Sequence, residues 1–466
     1  MMHWDMDVDV LVIGGGGAGL SAAIAAAEEG ATVAIAEKWD RLGGNTALST
    51  GSVPGAGTRF QRAAGISDSP ERLVQDILLR TNNTAPEHLV RALARESGLL
   101  VEWLVDSVGA PLKLEPVLKK IGHSVPRTHV AEGRNGEALF AALEMRARTL
   151  GVEISVGTPA LGLIAEGGRI AGARVASGAS DSSDNIRTKK VILATNGFGG
   201  NRAMLREFCP SISEAPYFGH QGNTGEGIEW ACEFGAKLHN MASYQGHASV
   251  SVPQGALVSW SVIELGGILV NAHGERFVDE LTGYSGCTAE VLRLPEAIAA
   301  VVYDERIHRY MRHNVPEYAR LDEMGGVKHD AAPDALFQQL RLDGQSRLAE
   351  TLDDYERARA TGSDRFGRAE LGTEPLRPPY YGVRVTAGLF HTQGGLYVDE
   401  NSQPIDAAGR PIANLYAAGG TAVGLAGADG GRGYCSGSGL LAALGLGRIA
   451  GRHAGRACRA CPDFCV

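Results

Sequence analysis

A spaced set of glycines and one acid carry the plainest chemistry in this sequence. Gly14, Gly16 and Gly19 form G-x-G-x-x-G directly after the apolar run "VDVLVI" and at the head of "GGGGAGLSAAIAAAEEG". Glu37 stands about 20 residues further on, at the end of a second apolar run, "TVAIAE". The first glycine allows a tight turn, the second lets backbone amides approach a pyrophosphate, and the third lets a helix sit close to a strand. A diphosphate would rest at the helix N-terminus, around Gly17 and Ala18, where free N–H groups and the helix dipole favour an anion. Glu37, followed by Lys38, is placed to accept hydrogen bonds from ribose hydroxyls, which disfavours a 2′-phosphate.

The elements that must hold these residues follow from the pattern around them. Strand, turn, helix, strand is predicted over the first 37 residues, the helix ending at Gly30. From 152 to 195 the pattern changes to short strands, "EISVG", "ALGLIAE", "RIAGARVA" and "KKVILAT", separated at Gly167-Gly168 and by "SGASDSSD". This predicts a small β-meander that returns to a parallel sheet at "VILAT". Past residue 240, "NMASYQGHASVSVPQGALVSWSVIELGGILVN" predicts β-rich structure of another module, and charged helical segments fill 295 to 360. "RATGSDRFGRAELGTEPLRPPYYG" is loop-like, and "GGLYVDENSQPIDAAGRPIANLYAAGG" predicts two strands around a hairpin, followed by a Gly/Ser-rich turn and a final helix.

Composition bounds the rest. The 466 residues exceed what one core usually serves, so two domains are expected. A net charge of -9 offers no basic field for a phosphate backbone, which argues against nucleic acid. No apolar run reaches the roughly 18 residues of a membrane span. The acidic start does not resemble a secretory signal, and seven scattered Cys fit reduced thiols, so a cytoplasmic location is expected. His453, Cys458, Cys461 and Cys465 crowd the end, but their spacing matches no zinc pattern, and no metal site is expected.

Four further stretches fix the cofactor: "RLGGNTALSTG" (41–51), "ILATNGFGGN" (192–201), "NTGEGIEWACEFGA" (223–236) and "NLYAAGG" (414–420). Together, and in this order, they resemble the fumarate reductase/succinate dehydrogenase flavoprotein superfamily over almost the whole chain. The resemblance implies an α/β fold: a Rossmann-like FAD-binding domain with its β-meander, made of residues 1–240 and 386–466, and an inserted α+β substrate-binding or capping domain, 241–385. It implies FAD along Gly43, Gly44, Asn45, Thr46, Ser49, Thr50 and Gly51, with Ala160 near the adenine and Ala194, Asn196 and Gly197 closing the dinucleotide site. It also implies that Asn223, Thr224, Gly225, Glu226, Gly419, Gly420 and the turn Ser436, Ser438, Gly439, Leu440, Leu441 border the ribityl chain and isoalloxazine. The early loop lacks the His of covalent-flavin members, so non-covalent FAD is expected. With no second nucleotide fingerprint, electrons are expected to pass to an external acceptor such as a quinone or oxygen.

The substrate side departs from the fumarate-reducing branch. The positions of its proton relay hold Trp260, Ile263 and Tyr284. His247 matches that branch's first substrate-side His, and His391 lies at or beside the second. "GERFVDELTGY", "GADGGRGYCSGSG" and "PPYYGVRVTAG" resemble instead the ketosteroid Δ1-dehydrogenase group, in which a Tyr removes a proton α to a ketone while the flavin takes the β-hydride. An Arg is nearly always a cation, whereas a phenol becomes a base once its pKa falls from near 10. Arg432 or a nearby His would favour the phenolate. Tyr381 or Tyr380 would bond the ketone, and Tyr434 lies in the "GR-x-Y" before the last flavin turn. The expectation is an FAD-dependent desaturase of a small cyclic oxo acid, such as a 4-oxocyclohexanecarboxylate-like molecule. A ketosteroid dehydrogenase, an enoate reductase of the fumarate or urocanate type, and a flavin subunit that only passes electrons are the alternatives.

Overall fold

The computed structural model describes residues 3–177 and 182–460. The chain forms two compact units, one made of Met1–Pro210, Gly219–Tyr244 and His391–Val466, the other of Ser211–Phe218 and Gln245–Phe390.

The first unit is built on a parallel sheet. The strand Met6–Ile13 lies between Val33–Ala36 and Ser183–Leu193, and both neighbours run parallel to it. Glu153–Ser155 extends the sheet on one side and Leu415–Ala417 on the other. The residues from Val10 to Ile13 are buried, as a strand covered on both faces must be. Ala160–Glu166, Arg169–Ala176 and Ser183–Leu193 make the expected meander, with Gly167 and Gly168 both at positive φ in its first turn. "EISVG" differs from the expectation: Glu153–Ser155 pairs parallel with Val33–Ala36 instead of joining the meander. Glu153 and Ser155, the charged and polar residues of this strand, suit a sheet edge.

The helix Gly17–Glu28 packs along the closing helix Ser438–Ala460. A Cβ at Gly447 would fall 2.4 Å from the Ala18 carbonyl oxygen, and one at Gly451 would fall 2.0 Å from that of Ala22. Glycines four apart therefore present bare backbone to the Ala face of the partner helix. The Ser21 hydroxyl donates to the Leu444 carbonyl at 2.7 Å, joining residues 423 positions apart.

The second unit centres on a five-stranded sheet in the order Tyr244–Ser251, Tyr380–Thr392, Ala299–Asp304, Ile268–Val270, with Lys328–Asp330 also on Tyr380–Thr392. Helices Glu305–Asn314, Pro316–Glu323, Pro333–Gln339 and Leu348–Thr361 fill the expected helical region. Two strands depart from expectation. Ala299–Asp304 is buried at every position, so it shows no alternation inside a charged stretch. Tyr380 begins a strand where Pro378 and Pro379 had signalled a loop; prolines are tolerated just before a strand because they need not donate to the ladder.

Candidate active site

The turn at Gly14 to Gly19 is built as a dinucleotide cradle. Gly14 has φ +107, and a Cβ there would sit 2.4 Å from the Ala194 carbonyl. At Gly19 a Cβ would sit 1.9 Å from the Gly14 carbonyl, so this glycine brings the helix onto the strand. Gly16 alone faces open space, with nothing within 4 Å of an added Cβ. The helix that begins at Gly17 has no side-chain cap and no acid in its first turn, which leaves its donors for an anion. Glu37 is fixed by the Gly15 N–H at 2.7 Å and the Trp39 N–H at 2.9 Å.

The other residues expected at the cofactor gather in the same unit. Gly43 bridges Gly16, and Thr46 fills the space beside Gly17. The Asn45 side-chain oxygen accepts from the His220 N–H at 2.7 Å and from the Asn223 amide at 3.1 Å. Ser49 and Gly51 frame the next turn, the Ser49 hydroxyl donating to the Thr46 carbonyl at 2.8 Å, and Thr50 bonds Ser52 at 3.0 Å. Lys38 bonds Glu226 at 2.7 Å and Thr224 at 3.0 Å. Glu226 keeps its second oxygen buried without a partner among the described residues. That orphaned acceptor fits a ribityl or ribose hydroxyl. Gly225, at φ +92, opens the Glu226 helix, and Gly419, at φ +66, lies against Ala18.

Gly420 has its own explanation. A Cβ there would fall 2.2 Å from Asn196 Oδ1, which also accepts from the Gly197 N–H at 2.9 Å. The Asn196 carboxamide occupies the room that a side chain at 420 would need. Ala160 pairs with Val175 at the start of the meander. Next to it, Pro159, Lys38, Trp39, Asp40, Gln221, Gly222 and Thr224 line an open pocket beside Glu37. Trp39 and Gln221 were not read as site residues; no motif contains them, and only the fold brings them to Pro159. The donor set, the open face at Gly16 and the orphaned Glu226 oxygen fit FAD.

The closing helix begins in the Gly/Ser turn. Tyr434 is buried, and its hydroxyl accepts from the Gly439 N–H at 3.1 Å. Burial pushes this phenol up to about 12, so it serves as a helix-end partner instead of a base. His391 lies against the same turn, its ring 5.8 Å from that of Tyr434. Burial lowers its pKa to about 4, which keeps it neutral. Arg432 is exposed. At the far end of this helix His453 bonds the Tyr416 hydroxyl at 2.9 Å and Cys458 is buried, whereas Cys461 and Cys465 lie outside the described residues.

The second unit carries a ring cluster. Tyr284 stacks on His247 with centroids 4.6 Å apart and planes at 18°, and Trp260 stands edge-on to both, at 6.4 and 6.1 Å. Phe390 lies 5.9 Å from His247. The loop that presents Tyr284 is anchored by the "GERFVDEL" residues themselves: Arg276 donates to Glu280 at 2.8 and 2.6 Å and to Asp364 at 2.5 Å. Ser285 accepts from the Gly246 N–H at 3.0 Å, tying the Tyr284 turn to the His247 strand. A Cβ at Gly246 would fall 2.4 Å from the Thr288 hydroxyl, so only glycine lets the two approach this closely.

His247 is neutral. Its Nδ1 accepts from the Ser249 N–H at 3.3 Å, which leaves the proton on Nε2, and burial lowers its pKa to about 3. The expectation that a nearby His would supply positive charge to Tyr284 is therefore not met by His247. Ile263 is buried at 1% exposure, and Trp260 keeps a buried indole N–H without a partner among the described residues.

Tyr380 and Tyr381 are not brought to this cluster. They begin the strand whose other end carries Phe390, about 30 Å away at some 3.3 Å per residue. Tyr381 is stacked on His308 at 4.2 Å and on His329 at 5.2 Å, within a group in which the Tyr303 and Tyr318 hydroxyls meet at 2.5 Å. The expectation of ketone binding at Tyr284 by either residue fails on this distance.

A glycine turn of this kind on a parallel sheet with a meander marks a protein that binds a dinucleotide such as FAD or NAD. Comparison with known proteins names the family. Residues 9–436 match the FAD binding domain family, and the chain belongs to it as an FAD-dependent oxidoreductase. It is 32% identical over 457 residues to the NADH:fumarate oxidoreductase of Klebsiella pneumoniae, covering 97% of this chain and 48% of that protein. This chain thus spans about half the length of that relative. A flavocytochrome c3 fumarate reductase in open conformation superposes with a TM-score of 0.78 at 28% identity, over 97% of this chain and 79% of the other. The 3-ketosteroid-Δ4-(5α)-dehydrogenase of Rhodococcus jostii RHA1, solved with 4-androstene-3,17-dione, gives 0.76 at 27% identity over 98% of both chains. Among the described residues no helix is long and apolar enough to cross a membrane.

Proposed function

We propose that this flavoenzyme desaturates the carbon pair next to the ketone of a small cyclic oxo acid, of the 4-oxocyclohexanecarboxylate type, with Tyr284 as the base. The observation that carries this reading is the phenol of Tyr284 stacked on a neutral His247 and walled by Trp260 and Phe390. An uncharged aromatic box suits a carbocycle more than a small linear dianion, whose two carboxylates would need charged partners. When bound, FAD supplies the acceptor for the hydride. Tyr284 takes the α-proton, and the Nε2–H of His247 is the donor available to an oxygen of the substrate.

A second reading, reduction of an activated alkene, is supported by the 32% identity to the fumarate oxidoreductase. The two are separated by anaerobic mixing with cyclic ketones that do or do not carry a carboxylate, followed by the loss of yellow absorbance. Bleaching by the oxo acid supports desaturation, with the electrons then passing to an external quinone or oxygen. Bleaching by dithionite alone, with colour restored by an enoate, would sink it in favour of the reductase.

A further inference from the structure

The aromatic wall of the second unit continues past Phe390 to a ring outside the sequence motifs. Phe218 stacks on Phe390 with centroids 5.4 Å apart and planes at 22°. It closes Ser211–Phe218, the short segment that joins this unit from outside its main run. Its register is fixed by the strand Tyr380–Thr392: the Leu389 N–H donates to the Pro216 carbonyl at 2.8 Å, and the Phe218 N–H donates to the Leu389 carbonyl at 2.8 Å. Residues 388 and 390 share one face of that strand, while Leu389 is wholly buried on the other. Gly388 puts no side chain on the shared face, and a Cβ there would fall 2.4 Å from Phe218 Cε2. The Phe218 ring thus takes the room that a side chain at 388 would need.

Exposure sorts the rings into two layers. His247 and Trp260 are buried, whereas Tyr284, Phe390 and Phe218 are each partly open. From Tyr284 the contacts run to His247 at 4.6 Å, then to Phe390 at 5.9 Å, then to Phe218 at 5.4 Å. Phe218 therefore stands at the other end of this row of contacts from the phenol. An open phenyl ring there offers apolar area and no hydrogen bond, which suits the hydrocarbon part of a ligand and sets a steric limit on it.

We propose that Phe218 is a specificity-determining residue that limits the substrate to a single carbocycle, by occupying over Gly388 the room a second fused ring would take. The inference rests on the reading that Tyr284 acts on a cyclic ketone. Phe390 and Phe218 then meet the carbons remote from the pair that loses hydrogen. Removing the Phe218 side chain leaves the space of one phenyl ring beside bare backbone at Gly388, and an apolar space of that kind takes up a ring of matching size.

The test compares 4-oxocyclohexanecarboxylate with its fused two-ring counterpart, an oxodecalin carboxylate. Binding of each to the FAD-loaded full chain is measured by calorimetry, and anaerobic bleaching of the flavin is followed separately. The wild type is expected to favour the single ring. Phe218→Ala is expected to shift the ratio of affinities toward the two-ring ketone by about tenfold or more, the order for relieving steric exclusion in an apolar pocket. Phe218→Leu keeps part of the volume and is expected to shift the ratio less; it serves as the second variant should the alanine form not fold, as judged by circular dichroism. Gly388→Ala is expected to lower the melting temperature of the wild type and to cost much less in the Phe218→Ala background, because the clash needs the ring. An unchanged ratio in the folded variants, a wild-type preference for the fused rings, no binding of either ketone, or an equal loss of melting temperature in both backgrounds would each overturn the proposal. A shifted ratio without bleaching by either ketone would support the size limit and strike the desaturation, whereas bleaching by the oxo acid with an unchanged ratio would do the reverse.

Discussion

The Gly14 to Gly19 turn and the Tyr284 cluster solve opposite problems. The turn works by leaving side chains out: at Gly14 and Gly19 a single added carbon would strike backbone, and only Gly16 faces free space. The cluster works by filling: four rings at 4.6 to 6.4 Å make an uncharged wall in which the imidazole is held neutral. Backbone geometry tolerates almost no variation, so one residue type answers each position. A packed aromatic wall has several solutions of similar volume, and its chemistry depends on which polar atoms remain uncommitted.

The sharpest way to break this comparison is within the turn. Gly19→Val is expected to yield no soluble flavoprotein, because its Cβ would fall 1.9 Å from the Gly14 carbonyl. Gly16→Val is expected to fold and lack colour, with a normal circular dichroism spectrum and no flavin absorbance. A yellow Gly16→Val protein would remove the cradle from FAD binding. Next in size, Tyr284→Phe is expected to keep FAD and slow anaerobic flavin reduction by the oxo acid by about 10²-fold or more, as measured by stopped flow.

A smaller effect separates the neutral imidazoles from the rest. His123, His129, His247 and His391 are lowered by burial to about 4, 4, 3 and 4 respectively. A histidine near 6.5 in the unfolded chain binds protons there first, so the stability these groups hold in full above pH 6.5 drains as pH falls toward 4. Thermal melting from pH 8 to pH 5 is expected to show a falling midpoint below about pH 6.5, and His247→Leu is expected to flatten the fall if Tyr284 still packs. The smallest effect is expected at Tyr380→Phe and Tyr381→Phe, with flavin reduction within about twofold of wild type, because the strand carries them about 30 Å from Phe390. A large loss there would restore the ketone-binding role.

How much was legible follows the same division. The strands "ALGLIAE" and "RIAGARVA" appear residue for residue as Ala160–Glu166 and Arg169–Ala176, because alternation and a Gly-Gly turn are local signals. Ala299–Asp304 was hidden by its complete burial, and the Tyr380 strand by the two prolines ahead of it. In the cofactor region each glycine's role could be reasoned from its offset. The bond of His123 to a carbonyl 313 positions away has no sequence signal, nor does the neutrality of His247, which depends on burial among Trp260, Tyr284 and Phe390 from three separate segments.

The pairing of the helix Gly17–Glu28 with Ser438–Ala460 also sets a schedule. The earliest helix of the cradle keeps an Ala face uncovered until a partner more than four hundred positions later has been synthesised, as the 423-residue separation of Ser21 and Leu444 records. On the ribosome, then, this part of the cradle matures only once Ser438–Ala460 has emerged, and a yellow colour in nascent chains should arise only after that helix has left the tunnel.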